Sequence, residues 1–139
     1  IIRLVRGERG GGGSGADEAP IPQQAVFDAR AEIHRVEVAP AIEKYIVSLI
    51  AATRRPAEFH DDLARWIHVG ASPRGSLALD QAARAHAWLH GRDFASPDDV
   101  RAVVHDCLRH RLMLSYEASA DGVSANAVVE QLLQQVAVA

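Results

Sequence analysis

Apolar residues recur three or four positions apart in several stretches of the chain, with polar residues between them. This spacing places the apolar side chains on one face of an α-helix. The pattern predicts five helices, near residues 23–34, 40–54, 73–90, 97–109 and 125–136. Because each helix is apolar on one face only, the five must pack on one another. The expected fold is all-α, a small helical bundle with short extended links.

Weaker patterns lie between these helices. Leu63 and Trp66 are one helical turn apart, so a short helix remains possible between the second and third long helices. The alternating residues 36–38 and the run 112–116 favour short extended segments.

Two of the predicted helices begin with a Ser-Pro pair, at Ser72-Pro73 and at Ser96-Pro97. Serine is a favourable N-cap residue, and proline suits the first helical position because its missing N–H would have no partner there. Arg74 then falls in the first turn, where the helix dipole disfavours a cation unless an anion lies beside it. A helix N-terminus with a guanidinium is a good phosphate receptor. Simple exposure of Arg74 to water is the alternative interpretation.

The first 22 residues differ from the rest of the chain. Six glycines fall between positions 7 and 15, with no apolar stripe beside them. This composition predicts a flexible linker over 1–22, followed by a helical domain over 23–139. Gly15, the last glycine of this stretch, is not directly followed by a lysine and a serine or threonine. The stretch is therefore not a phosphate-binding P-loop. The chain begins with Ile1 rather than methionine, so we expect it to be part of a longer protein.

Composition narrows the possible functions. The chain has 139 residues, 48% of them apolar, with a formal net charge of −3 and no long basic run. Nucleic-acid binding is therefore not indicated. With Cys107 as the single cysteine, neither an internal disulfide nor a cysteine zinc cluster can form. No apolar run is long enough to span a membrane and no signal peptide is evident, so a cytoplasmic location is expected.

Few side chains suggest chemistry of their own. His86 and His90 are four residues apart on one helix, but the glutamate that accompanies this spacing in metalloproteases is missing. No metal site is predicted. Cys107 lies on an apolar stripe and is expected in the core. The carboxylates are scattered, so the residues do not support a self-contained hydrolase.

Four segments of the chain resemble the MoxR family of AAA+ ATPases. They are AIEKYIV at 41–47, GASPRGSL at 70–77, GRDFASPDDV at 91–100 and LRHRLMLSYEA at 108–118. The similarity runs through residues 23–133 in the order found in the family. Their ordered combination is more specific than any of the short motifs alone.

The resemblance implies an all-α lid subdomain that packs over a nucleotide bound to a preceding α/β ATPase core. Arg74 matches the family's sensor-2 arginine, which reaches the γ-phosphate of ATP, and Ser72 and Pro73 form the nucleotide-proximal helix start. ATP and Mg²⁺ are the implied cofactors of the intact protein, with none expected on this fragment. The Walker motifs and the arginine finger are expected upstream of Ile1.

The resemblance also implies partners. These are the protein's own upstream ATPase core, further copies in a homo-oligomeric ring that is usually a hexamer, and von Willebrand factor A domain proteins. The implied role is chaperone-like protein maturation, without nucleic acid or membrane. The cluster Arg109-His110-Arg111 matches the family but receives no role beyond complementing a helix dipole.

Two other functions remain open. A stand-alone helical interaction module would need only the apolar stripes. A helix-turn-helix DNA-binding domain would need a basic recognition helix, but the helix from Pro73 carries only Arg74 and Arg84 as fixed positive charges.

Overall fold

Helices account for most of the computed structural model, which describes residues 20–138. In chain order the α-helices are α1 Gln23–Arg35, α2 Pro40–Arg54, α3 Asp61–Trp66, α4 Arg74–Leu89, α5 Pro97–Leu108, α6 Tyr116–Ala120 and α7 Ala125–Gln135. A 3₁₀ turn, Pro56–Glu58, follows α2. The all-α prediction is confirmed, and each of the five predicted helices is found within one residue of its expected bounds. The linker predicted over 1–22 lies almost entirely outside the described residues.

The segments that connect the helices form two short strand pairs. β1 (Glu37–Val38) pairs in parallel with β3 (Phe94–Ala95), and β2 (Ile67–Val69) pairs antiparallel with β4 (Met113–Leu114). Strands β1 and β4 lie within the extended segments expected at 36–38 and 112–116, but Tyr116 already belongs to α6, and the possible short helix is present as α3. The sequence pattern did not predict α6.

The core forms where α2, α4, α5 and α7 meet. Helices α4 and α5 run antiparallel, because Leu108 approaches Gly75 at one end and His86 contacts Asp99 at the other. The largest fully buried apolar side chains are Tyr45, Leu49, Leu63, Leu79, Val100, Val104, Leu108, Val128, Val129 and Leu132. The apolar stripes of these four helices therefore supply most of the core, and Leu63 of α3 adds to it.

Helix α1 departs from its predicted packing. Its stripe of Val26, Ala29 and Ile33 suggested a buried face, but no residue of α1 is buried and Val26 is 42% exposed. Within residues 20–138, α1 packs mainly on α4, where Trp88 Nε1 donates to Glu32 at 2.8 Å. A single neighbouring helix cannot enclose the whole stripe. None of the described helices is long and apolar enough to cross a membrane.

A buried carboxylate joins α4, the following loop and α5. Asp99 has no solvent exposure and accepts hydrogen bonds from the N–H and Oγ of Ser96, each at 2.7 Å. Its other partners are His86 Nδ1 at 2.7 Å and both terminal nitrogens of Arg92. The Arg92 guanidinium, with help from His86 and Ser96, holds the pKa of Asp99 well below its usual range. The predicted start of α5 at Ser96 and Pro97 is confirmed.

Candidate functional site

The loop 70–73 lies directly on the last turn of α2. A Cβ on Gly70 would come within 2.1 Å of the carbonyl oxygen of Thr53. A Cβ on Gly75, at the start of α4, would come within 2.9 Å of Ile50 Cδ1. Real Cβ atoms do not approach other atoms so closely, so only glycine fits at Gly70 without backbone movement. The two glycines of the motif allow close packing of this loop and of the first turn of α4.

Thr53 connects the loop to α2 by hydrogen bonds. Its side chain is buried, with 1% exposure. Its hydroxyl donates to the carbonyl of Ile50 at 2.7 Å and accepts from the N–H of Ala71 at 3.0 Å. Thr53 was not among the residues predicted to belong to the site. The available signal was a polar residue at a position where the α2 stripe of Ile46, Leu49 and Ile50 continues.

Helix α4 begins differently from the prediction. Pro73 is its N-cap residue and already has helical angles, φ −55° and ψ −23°, and no side chain caps the helix. The assignment of Ser72 as the capping residue was therefore wrong. Instead, the Ser72 carbonyl accepts from the N–H of Gly75 at 2.8 Å, and the Ser76 hydroxyl donates to the Pro73 carbonyl at 2.6 Å. The tight turn over 72–75 brings Pro73 into the helical region and leaves the Ser72 side chain exposed.

Ser72→Ala should consequently leave stability almost unchanged, within about 0.3 kcal/mol. Ser124→Ala is the matched control, because Ser124 Oγ accepts from the N–H of Ala127 at 3.2 Å and caps α7. Loss of a working cap costs about 1 kcal/mol. Thermal or urea unfolding of both variants measures the difference. Equal destabilisation by the two substitutions would mean that Ser72 does cap α4.

Arg74 is the first residue of α4, and its side chain projects into solvent. Within residues 20–138 it forms no hydrogen bond or ion pair. It occupies the positive end of a helix dipole, where only an anion would make a cation favourable. The geometry leaves the guanidinium available for a ligand or for another part of the protein.

An open cavity of about 620 Å³ borders the start of α4, although Arg74 itself is not among its lining residues. It is lined from α2, β2 and the start of α4 by Val47, Ile50, Ala51, Arg54, Arg55, His68, Val69, Gly70, Pro73 and Ser76. Its described lining contains basic and apolar side chains without an acidic one, and Pro73 and Ser76 bracket Arg74 in the chain. A cavity of this size and charge suits an anion with an apolar portion.

The other candidate side chains are structural. His86 belongs to the Asp99 cluster, and its ring lies 4.3 Å from that of His90. Among residues 20–138, no group of three or more potential ligands is placed to hold a metal ion. Cys107 is half-buried against the carbonyl of Ala78, and burial raises the pKa of its thiol. Its expected place in the core is close to what is observed.

The basic cluster Arg109-His110-Arg111 lies at the end of α5. Arg111 donates to the carbonyl of Cys107 at 2.6 Å, and Arg109 forms an ion pair with Asp106. Arg111 therefore satisfies a carbonyl at the helix C-terminus, where positive charge is favourable. This agrees with the helix-dipole interpretation of the cluster.

The AAA lid domain family matches residues 63–132, from α3 to α7. The chain belongs to this family. The matched region includes the loop 70–73, Arg74 and the α4–α5 pair. The lid resemblance inferred from the sequence motifs is thereby confirmed.

Named relatives and a solved structure agree with this assignment. The chain is 45% identical over 98 residues to Chaperone MoxR1 of Mycobacterium tuberculosis, covering 70% of this chain and 26% of that protein. It is 43% identical over 86 residues to Protein MoxR of Methylorubrum extorquens, covering 58% and 25%. A crystal structure from Cytophaga hutchinsonii, provisionally classed as an ATPase, superposes with a TM-score of 0.81 at 38% identity, covering 84% of this chain and 36% of that one. The chain thus spans between about a quarter and just over a third of these three proteins.

Proposed function

We propose that this chain is the lid of a MoxR-type AAA+ ATPase and closes over ATP bound to an upstream core, with Arg74 as the sensor-2 arginine. One observation carries the proposal most directly. Arg74 is exposed and without a partner among the described residues, at the N-terminus of a helix whose start is held by Thr53, Gly70 and Gly75. The guanidinium of Arg74 can therefore bind an anion that is bound to another domain.

The residues present fit the terminal phosphate of ATP. The guanidinium of Arg74 can donate two parallel hydrogen bonds to phosphate oxygens, and the helix dipole adds a favourable field. Arg54 and Arg55 bring positive charge to the neighbouring cavity, Arg55 within an exposed ion pair with Glu58, while Val47 and Val69 give it apolar walls. Ser72 and Pro73 form the nucleotide-proximal helix start. Mg²⁺ would be held by the upstream core.

The proposed chemistry of this chain is electrostatic. ATP supplies the reacting γ-phosphoryl group, and charge spreads over its oxygens in the transition state. A positioned arginine stabilises that charge without reorganisation at the moment of reaction. Release of the γ-phosphate removes the anion that Arg74 faces, so the lid angle would follow the nucleotide state.

The remaining proposals concern the intact protein. The chain would act within a homo-oligomeric ring, a hexamer in the family's usual form, in chaperone-like protein maturation. Proteins with von Willebrand factor A domains are the proposed partners. Movement of the lid relative to its own core would transmit nucleotide hydrolysis to neighbouring subunits and clients.

Hydrogen exchange of the intact protein tests the nucleotide-facing assignment. A non-hydrolysable ATP analogue with Mg²⁺ should slow exchange in the peptide covering 70–76 more than ADP does. The peptide covering α7 serves as the internal reference and should not respond. Identical exchange at 70–76 with and without nucleotide would contradict the proposal and favour a stand-alone interaction module.

The isolated chain should not turn over ATP above the buffer rate. It offers one phosphate-facing arginine and a helix end, whereas hydrolysis also needs the loop that encloses the phosphates and a bound Mg²⁺. A phosphate-release assay measures this, with the intact ATPase as the positive control. Turnover by the isolated chain at the intact protein's rate would overturn the lid assignment.

A further inference from the structure

Thr53 is a polar side chain buried among aliphatic neighbours. It lies in the last turn of α2, where Leu49, Ile50 and Ala52 are also buried. A hydroxyl in such a place is unfavourable unless it is hydrogen-bonded. Donation to the Ile50 carbonyl at 2.7 Å directs the hydroxyl proton back along α2. An oxygen lone pair is then available to Ala71, 18 residues further along the chain.

The loop between β2 and α4 depends on this hydroxyl. Ala71 has no solvent exposure, and its N–H, which belongs to neither a strand pair nor a helix, finds its acceptor in Thr53 Oγ1 at 3.0 Å. Gly70 rests on the carbonyl of the same threonine. A second hydrogen bond between α2 and Ala71 is long, at 3.5 Å, and runs from the guanidinium of the exposed Arg54 to the Ala71 carbonyl. Thr53 is therefore the main polar anchor of the loop.

Arg74 follows Ala71 by three residues, and no side chain caps the helix start between them. The direction in which the guanidinium leaves the protein is thus set by how the loop and the first turn of α4 are docked on α2. Removal of the hydroxyl would leave the buried N–H of Ala71 without a partner, and the loop would move to satisfy it. Small displacements of a catalytic group reduce rates strongly, by on the order of a hundredfold for about 1 Å.

From this geometry we propose that Thr53 is a positioning residue for Arg74, acting through the Ala71 N–H. The inference rests on the proposed sensor-2 function of Arg74 and deepens it. In this proposal the end of α2 sets the direction of the phosphate-facing guanidinium of Arg74. Thr53 itself does not touch the nucleotide.

Two substitutions in the intact ATPase separate the hydroxyl from the shape of the side chain. Thr53→Val keeps the β-branched shape and removes the hydroxyl, and should lower kcat roughly tenfold with a smaller change in KM for ATP. Thr53→Ser keeps the hydroxyl and should retain kcat within about twofold. Equal kcat in Thr53→Val and the wild type would overturn the inference.

A core variant controls for stability. Val104→Ala removes fully buried volume from α5 without altering the hydrogen bonds of the loop, and should lower the melting temperature at least as much as Thr53→Val. Assayed well below both melting temperatures, Val104→Ala should keep wild-type kcat. If it loses as much kcat as Thr53→Val, the effect of Thr53 is one of general stability and the inference fails.

The double variant Thr53→Val/Arg74→Ala shows whether Thr53 acts through Arg74. If it does, the double variant should hydrolyse ATP no more slowly than Arg74→Ala alone. Multiplying losses would overturn the positioning role while leaving the sensor-2 function standing. Wild-type hydrolysis by Arg74→Ala would instead remove the proposed function, and this inference with it.

Discussion

Arg74→Ala in the intact ATPase should slow ATP hydrolysis by about a hundredfold or more. Removal of one preorganised charge that faces the developing charge of the transition state costs several kcal/mol of activation free energy. Arg74→Lys should restore only part of the rate, because an ammonium does not reproduce the planar two-point contact of a guanidinium with phosphate. Steady-state hydrolysis at saturating ATP, with the assembly state checked in parallel, measures the effect.

The same substitution should leave folding intact. Arg74 is exposed and makes no contact within residues 20–138 that holds the fold together, and loss of a cation from the first turn of α4 relieves an unfavourable dipole interaction. We expect a change in unfolding free energy of at most about 0.5 kcal/mol.

Arg101→Ala is the control for hydrolysis, since Arg101 is a half-exposed arginine in the first half of α5 that forms an ion pair with its neighbour Asp98 and lies beside the hydroxyl of Tyr45. Hydrolysis should be unaffected by it. Wild-type turnover in Arg74→Ala would show that Arg74 is not the sensor.

Asp99→Asn should destabilise the domain by about 2–4 kcal/mol. Asp99 is fully buried, and its carboxylate accepts from Ser96, His86 and Arg92. The side-chain amide of asparagine accepts hydrogen bonds at its oxygen but donates at its nitrogen. Some of the donor groups that now bond to the carboxylate would therefore face the NH₂ group, which is itself a donor. Removing the charge of one member of a buried ion cluster leaves its partners without a counter-charge. Such substitutions are among the most destabilising in a folded protein.

The pH dependence of stability gives a second measure of the same cluster. The pKa of Asp99 is lowered in the folded state, first by Arg92, relative to about 3.9 in an unfolded chain. The stabilisation is therefore complete above the unfolded pKa and is lost as the pH falls below it. Urea unfolding between about pH 3 and pH 7 should show the onset of this loss in the wild type, and a smaller loss in Asp99→Asn.

The neighbouring acid provides the control. Asp98 lies on the same turn of α5, but its side chain is 87% exposed, and within residues 20–138 its one ion pair is with Arg101. Asp98→Asn should change stability by at most about 0.5 kcal/mol. Similar losses for the two variants would mean that burial of the Asp99 cluster does not control the stability of the α4–α5 connection.

The five long helices and their order were accessible from the sequence, whereas α6 was not, because the signals for the long helices are local. Apolar spacing sets the face that each helix buries, and Ser96-Pro97 marks the start of α5. The position of Arg74 at the beginning of α4 followed from the same kind of signal. The ordered motifs were specific enough to indicate the lid family before any contact was known.

The features that hold Arg74 in place were decided by tertiary structure. Whether Thr53 faces water or Ala71, and whether Gly70 must be glycine, depends on which turn lies opposite the end of α2. The same holds for Asp99, whose burial between α4 and α5 turns an ordinary helix-start acid into the centre of an ion cluster. The prediction that Ser72 caps α4 was wrong for the same reason. Docking of the loop on α2 and the tight turn after Ser72 determine the start of the helix, rather than the local capping preference of serine. Hydrogen bonds between residues distant in sequence depend on the packed arrangement of the helices, and no local pattern of side chains encodes that arrangement.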